Sequence, residues 1–192
     1  MKTERVGFAI CGSFCTHDRI LSELEKITRE YATVIPILSE ISAVTNTRFG
    51  EAEAFVEKVE AITGRKAWKD IPSVEPIGPQ GLLDVLVIAP CTGNTIAKLA
   101  NGITDTAVTM AAKAHLRNGR PVVIAMASND GLSGGAKNIG ELLVRKNYYF
   151  VPFGQDNALA KPCSLMADFP LSSAHVGEAM QGRQRQPLPF SC

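Results

Sequence analysis

Four short stretches place small polar residues where apolar runs end: CGSFCTH (11–17), LSEIS (38–42), PCTGNT (90–95) and MASNDGLSGG (126–135). Their hydroxyls, amides and glycine-adjacent N–H groups are uncharged donors suited to phosphate or carboxylate oxygens. A helix that starts just beyond such a turn adds a favourable dipole. Taken singly, each stretch also reads as a helix-capping turn; the recurrence of four is what points to a ligand. The candidate cofactor-binding residues are Gly12 and Ser13, Ser39, then Thr92, Gly93, Asn94 and Thr95, and finally Ser128 and Asn129. Thr95 has an alternative role as a helix cap, and Ser39 as a plain strand terminator. Asn94 is the single candidate for a part in catalysis, because an amide both donates and accepts; catalytic residues are otherwise unassigned.

The chemistry these residues allow is bounded by what is missing. There is no GxGxxG dinucleotide fingerprint and no GxxxxGK[ST] phosphate loop. A mononucleotide such as FMN, or simply phosphate or another anion, therefore fits better than NAD or ATP. Arg48, Lys98, Lys113 and Arg117 are candidates to meet a substrate carboxylate, against the ordinary fate of helix cations as solvated surface. His17 follows the first loop, either near a bound phosphate or as an exposed first-turn residue. Trp68, the sole tryptophan, could cover a ring or anchor its loop. The five cysteines (Cys11, Cys15, Cys91, Cys163 and Cys192) form no CxxC pair or zinc spacing, so reduced thiols in a cytoplasmic protein are expected, and no metal. Cys15 and Cys91 would approach each other if their strands were neighbours.

The elements that must position these loops show in the periodicity. Apolar runs at Val6–Cys11, Val34–Leu38, Val85–Ala89, Val122–Ala125 and Tyr148–Val151 have the form of strands covered on both faces. Between them, helical spacing appears at Ile20–Tyr31, Gly50–Thr63, Thr95–Ala100, Thr106–Arg117 and Ile139–Lys146, with Thr16 as an N-cap. The stretch GRKAWKDIPSVEPIGPQG reads as loop with room for one short edge strand. Strands alternating with helices predict an α/β fold with crossover connections and a parallel sheet covered on both sides. Ligands then bind beyond the carboxyl ends of its strands. One domain over residues 1–154 is expected, followed by a C-terminal extension over 155–192. That extension is rich in Pro, Ser and Gln and reads as an extended, partly disordered tail or an arm docking on a neighbour.

Composition is that of an ordinary globular protein, with 45% apolar and 20% charged residues and a net charge of +1. The near-neutral balance gives no electrostatic case for a nucleic-acid or membrane partner. The apolar run near the N-terminus is too short for a signal peptide, and no segment approaches the length needed to span a bilayer.

The stretches GSFCTH, APCTGNTIAKLANGITDTAVTMA and RPVVIAMASN resemble the flavoprotein family that includes cysteine decarboxylases and flavin prenyltransferases. In the middle stretch Pro90, Asn94, Thr95, Ala97, Lys98, Ala100, Gly102 and Asp105 fall in register with the family pattern. Gly93 replaces the family's alanine before the asparagine, which would let a ring or phosphate approach the backbone more closely. The resemblance implies a three-layer, Rossmann-like, doubly wound sheet, FMN in the crevice, and a homo-oligomer, trimer or larger. Departures argue against a decarboxylase. The histidine expected before the strand at 84–89 is missing, and MASNDGLSG keeps Asn129 but not the proline, methionines and tryptophan of the decarboxylase substrate motif. Within the family, most of the chain resembles the B subunit of a two-chain oxidoreductase that forms pyridine-2,6-dicarboxylate during spore formation. That implies a companion A subunit carrying NAD(P)H and a place in the mother-cell cytoplasm. A stand-alone flavin-dependent decarboxylase or prenyltransferase, or a non-catalytic subunit that stabilises its partner, are the alternatives.

Overall fold

The computed structural model describes residues 1–189 of the 192. In chain order, β1 (Lys2–Ile10) leads through a short 3-10 turn to α1 (His17–Glu30) and β2 (Tyr31–Leu38). Helices α2 (Glu40–Val44), α3 (Ala52–Thr63), α4 (Ile71–Val74) and α5 (Ile77–Gln80) precede β3 (Val85–Thr92). Then come α6 (Gly93–Ala100), α7 (Ala107–Leu116), β4 (Val122–Ser128) and α8 (Ala136–Leu143). The chain closes with β5 (Tyr148–Phe150), β6 (Phe153–Gly154), β7 (Leu165–Ala167) and α9 (Ser172–Met180). No helix among the described residues is long and apolar enough to cross a membrane.

The strands form one sheet in the order β2-β1-β3-β4-β7-β6, with β5 also paired to β4. Strands β1 to β5 pair in parallel; β7 is antiparallel to β4 and to β6. The free edge of β4 is shared: Val122–Ile124 takes β5, and Ala127–Ser128 takes β7. Alternation along each strand divides the core into two layers. Ala9, Ile37, Leu86, Ile88, Ile124 and Met126 face α4 to α8. Phe8, Ile10, Leu38, Val87, Val123 and Ala125 face α1, α3 and α9. Helices therefore cover both sides of a mostly parallel sheet. Because β2 lies on one side of β1 and β3 on the other, the chain reverses direction at the β1/β3 boundary, the switch point where a crevice opens in such folds.

Two segments depart from expectation. The stretch read as loop contains α4 and α5, and Trp68 forms an isolated bridge to Ile37 of β2. A helix signal is present there: Asp70 caps α4 by accepting from Ser73 N at 2.9 Å, with a proline in the first turn. The segment from 155 onward is not an extended tail over residues 165–180. Leu165 and Ala167 supply a buried strand, and Phe169, Val176 and Ala179 are fully covered. Ser173 Oγ donates to Glu30 Oε1 of α1 at 2.6 Å, and the Gln184 amide brackets Phe150, accepting from its N–H at 2.8 Å and donating to its carbonyl at 2.7 Å. The apolar positions are real but spaced among Pro, Ser and Gln, which hides their pattern.

Two histidines are wholly buried. His115 bonds Pro121 O through Nε2 at 3.0 Å, while neither ring nitrogen of His175 has a hydrogen-bond partner among the described residues. Burial pushes the pKa of each down to about 4, against an ordinary 6.5. The unfolded chain therefore takes up protons first, so this contribution to stability is complete above about pH 6.5 and is lost as pH falls towards 4. At pH 5 each histidine should cost about 2 kcal/mol relative to pH 7. Urea unfolding at the two pH values should show the loss, and H115Q and H175Q should each flatten the pH dependence. An unchanged slope in both variants would contradict this.

Candidate functional site

The carboxyl ends of β1, β3 and β4 converge on one crevice of about 630 Å3. Gly12, Ser13, Thr92, Gly93, Asn94, Ser128 and Asn129 all line it, although they come from three separate stretches of the chain. After β1, Cys11 N donates to Pro90 O at 3.2 Å, tying the first loop to the third. Ser13 N donates to Cys11 O at 2.9 Å, and Thr16 Oγ1 donates to Ser13 O at 2.7 Å, which shapes the turn. Thr16 thus occupies the N-cap position of α1 without a side-chain capping bond. A Cβ at Gly12 would stand 2.9 Å from Ile41 Cγ2, so a larger residue there would have to push the exposed Ile41 side chain aside.

Thr92 is the N-cap of α6, its hydroxyl accepting from Thr95 N at 3.3 Å. Gly93 and Asn94, the first two residues of α6, line the crevice. Ser13 Oγ and the Asn94 amide have no partner among the described residues, so both are available to a ligand. Gly93 is needed by the protein's own packing. Its missing Cβ makes room for Ser128 Oγ and Asp130 Oδ1, which would stand 2.7 and 2.8 Å from it.

Two of the nine candidates do not line the crevice. Ser39 is buried as the N-cap of α2, its hydroxyl 2.8 Å from Ser42 Oγ. Thr95 is buried one layer below, its hydroxyl donating to Cys11 Sγ at 3.3 Å. Ser39 thus ends β2 and caps the next helix, whereas Thr95 is not itself the cap: it supplies the N–H that the Thr92 cap accepts.

The four candidate cations are not gathered there either. Arg48 lies on its own neighbour, its guanidinium 4.9 Å from the Phe49 ring, exposed beside the crevice lip. Lys98, in the last turn of α6, is paired with Asp105 at 2.8 Å. Lys113 and Arg117 sit on the final turn and cap of α7, which leads back to the start of β4 and so to the opposite edge of the sheet. The crevice instead takes Lys161, paired with Asp156 at 3.0 Å. Its remaining walls are Phe14, Cys15, Phe49, Ala127, Asp130, Ser164 and Met166. Those from 156 to 166 are brought in by the β6–β7–β4 pairing, a long-range contact without a local signal.

Other expectations resolve as packing. His17 is buried, its ring stacked on Phe55 at 4.1 Å and its Nε2 3.1 Å from Cys11 O; burial holds its pKa below the usual value. Trp68 extends the sheet beside β2, its N–H donating to Pro36 O at 2.9 Å and its carbonyl accepting from Leu38 N at 2.8 Å. The buried neighbour of Cys91 is Cys11, not Cys15, which is exposed. Burial pushes the Cys11 thiol up to about 11 and Cys91 well above its ordinary range, so both stand as packed thiols under the crevice floor. Cys163 is also a free thiol, and Cys192 lies outside the described residues.

A crevice at the switch point of a doubly wound sheet, walled by neutral donors at the strand ends, is the arrangement of a mononucleotide-binding flavoprotein fold. Residues 1–140 match the Flavoprotein family, and the chain belongs to that family. It is 43% identical over 188 residues to the B subunit of dipicolinate synthase from Bacillus subtilis (strain 168), covering 98% of this chain and 94% of that protein. The crystal structure of the corresponding B subunit from Bacillus halodurans superposes with a TM-score of 0.91 at 40% identity, covering 99% of this chain and 97% of the other. The FMN-dependent cysteine decarboxylase SpaF shares the fold at a TM-score of 0.65 and 22% identity, covering 93% and 97% of the two chains.

Proposed function

We propose that this chain is the B subunit of a two-chain dipicolinate synthase, acting with an A subunit to form pyridine-2,6-dicarboxylate in the cytoplasm of a sporulating mother cell. The substrate is a dihydrodipicolinate ring, or a hydroxytetrahydrodipicolinate that first loses water. Likeness along nearly the whole chain to two B subunits supports this assignment. The observation that carries the ligand reading is the gathering of Ser13, Thr92 and Asn94 at the ends of β1 and β3, with the Ser13 hydroxyl and Asn94 amide uncommitted.

Those donors and the α6 N-terminus fit the phosphate of FMN, and Phe14, Phe49 and Met166 offer apolar walls for a ring. Bound there, a flavin would supply two-electron redox chemistry; the chain's own part is to hold the anion and to position the ring. Hydride acceptance by NAD(P) belongs to the A subunit, since this chain has no dinucleotide fingerprint. Of the four candidate cations, Arg48 is left at the lip, and Lys161 takes the role of meeting a substrate carboxylate. Phe49 on the lip and Ile41 against Gly12, 54% and 56% exposed, support an interface at the crevice boundary, and we read the assembly as a homo-oligomer, trimer or larger.

Purified chain mixed with its A subunit should convert the reduced ring to the aromatic dicarboxylate, read by ultraviolet absorbance, and neither chain alone should do so. Turnover by this chain alone would favour a stand-alone decarboxylase or prenyltransferase. Full activity after Asn94→Ala would favour a non-catalytic role.

A further inference from the structure

One carboxylate in the crevice has surroundings built around it, and anion binding makes no use of it. Asp130 Oδ1 accepts a hydrogen bond from Ser128 Oγ at 2.5 Å. Its carbonyl oxygen accepts from Ser133 N at 2.9 Å, Gly135 N at 3.0 Å and Ser133 Oγ at 3.1 Å, so the backbone beneath it is fixed. Two glycines clear the space: a Cβ would stand 2.8 Å from Oδ1 at Gly93 and 3.2 Å from Oδ1 at Gly135. Among the described residues Oδ2 has no donor, and the side chain is exposed to the crevice. The other titratable side chains lining the crevice are Cys15, Asp156 and Lys161, and the Asp156 charge is met by Lys161. Asp130 is thus held by one oxygen and open at the other, the geometry of an oriented proton acceptor.

We propose that Asp130 accepts the proton released when the ring is aromatised, an assignment that rests on the function proposed above. Aromatisation of a dihydropyridine dicarboxylate removes one hydride and one proton. One ring C–H bond breaks with its electron pair passing to an oxidised nicotinamide on the companion subunit, which is thereby reduced. A neighbouring ring N–H or C–H bond breaks with its pair left in the ring as the new double bond. That proton goes to Asp130 Oδ2, and the resulting neutral acid returns it to water. The same placement has a consequence for binding. A dianionic product beside Asp130 is held best when Asp130 carries a proton, so binding should take one up.

In the assembled two-chain enzyme, Asp130→Asn should lower kcat on the order of 100-fold and flatten the acid limb of the pH–rate profile, with KM moved by less than about threefold. Asp130→Glu should restore part of the rate. Calorimetric titration of the chain with pyridine-2,6-dicarboxylate, in two buffers of different ionisation enthalpy, should show uptake of about one proton that Asp130→Asn abolishes. This second readout needs neither partner nor turnover. A kcat for Asp130→Asn within about threefold of wild type, or unchanged proton uptake, would overturn the assignment. Should that variant not fold, Ser128→Ala keeps the carboxylate but releases Oδ1, and kcat should fall about tenfold; no fall is equally fatal. If the wild-type pair does not oxidise the dihydro compound, the proposed function fails and this role with it. If the wild type turns over and Asp130→Asn does too, only the role of Asp130 fails.

Discussion

Asn94→Asp should abolish FMN binding while leaving the fold intact. The two side chains have the same shape, but the new carboxylate would stand in the first turn of α6, beside the neutral donors Ser13 and Thr92 that are to hold the anion. Two like charges about 4 Å apart at an effective dielectric near 20 repel by about 4 kcal/mol, so a loss of about 100-fold or more in affinity is expected even after partial screening. Folding stability should not fall with it. An acidic residue in the first turn of a helix interacts favourably with the dipole, by about 0.3–1 kcal/mol. Fluorescence titration with FMN and urea unfolding of the same variant therefore move in opposite directions. A variant that binds FMN like the wild type would place the phosphate elsewhere.

Phe169→Ala should be among the most costly single substitutions in the chain. Phe169 is fully buried in the layer with α1 and α9, and the Arg19 guanidinium lies 5.0 Å from its ring centroid. Truncating a buried phenylalanine costs about 3–5 kcal/mol, a large part of the roughly 5–15 kcal/mol that holds an ordinary domain together. The urea midpoint should drop accordingly. Arg19 also donates to Met166 Sδ at 3.1 Å, so loosening this corner should weaken the crevice wall as well as the core. A loss below about 1 kcal/mol would mean that the segment after 155 is only loosely attached.

These two substitutions also mark where the sequence is legible and where it is not. The region around Asn94 is readable because a continuous apolar run, a capping threonine and a helical repeat follow one another without interruption. The β1 loop and the end of β4 are legible by a different sign, the small polar residues that follow each apolar run, since neither has a side-chain cap and α8 begins only at Ala136. Phe169 is different. Its neighbours Asp168, Pro170 and Ser172 look like loop residues, and only pairing of β7 with β4 across the chain shows that the segment is core.

The displacement of the candidate cations from the crevice has a physical reason. A helix joining parallel strands runs back towards their amino ends, at about 1.5 Å per residue, so residues in its last turn leave the ligand edge. Lys98, Lys113 and Arg117 all stand in or after a last turn. Lys161 carries no such signal, because its loop reaches the crevice through antiparallel pairing at the sheet edge. Gly93 reads as a point of close approach, and it is one, but the atoms that approach it are the protein's own, Ser128 Oγ and Asp130 Oδ1.

The central claim is that neutral donors from separate strand ends grip the phosphate of a flavin mononucleotide. Parallel titrations of the purified chain with FMN and with riboflavin, which lacks the phosphate, test it most directly, repeated with the A subunit present. The account predicts saturable FMN binding and at least about tenfold weaker binding of riboflavin, since charge-assisted hydrogen bonds to the phosphate are each worth about 1.5–3 kcal/mol. Equal affinity for the two compounds, or no FMN binding with or without the partner, would contradict it.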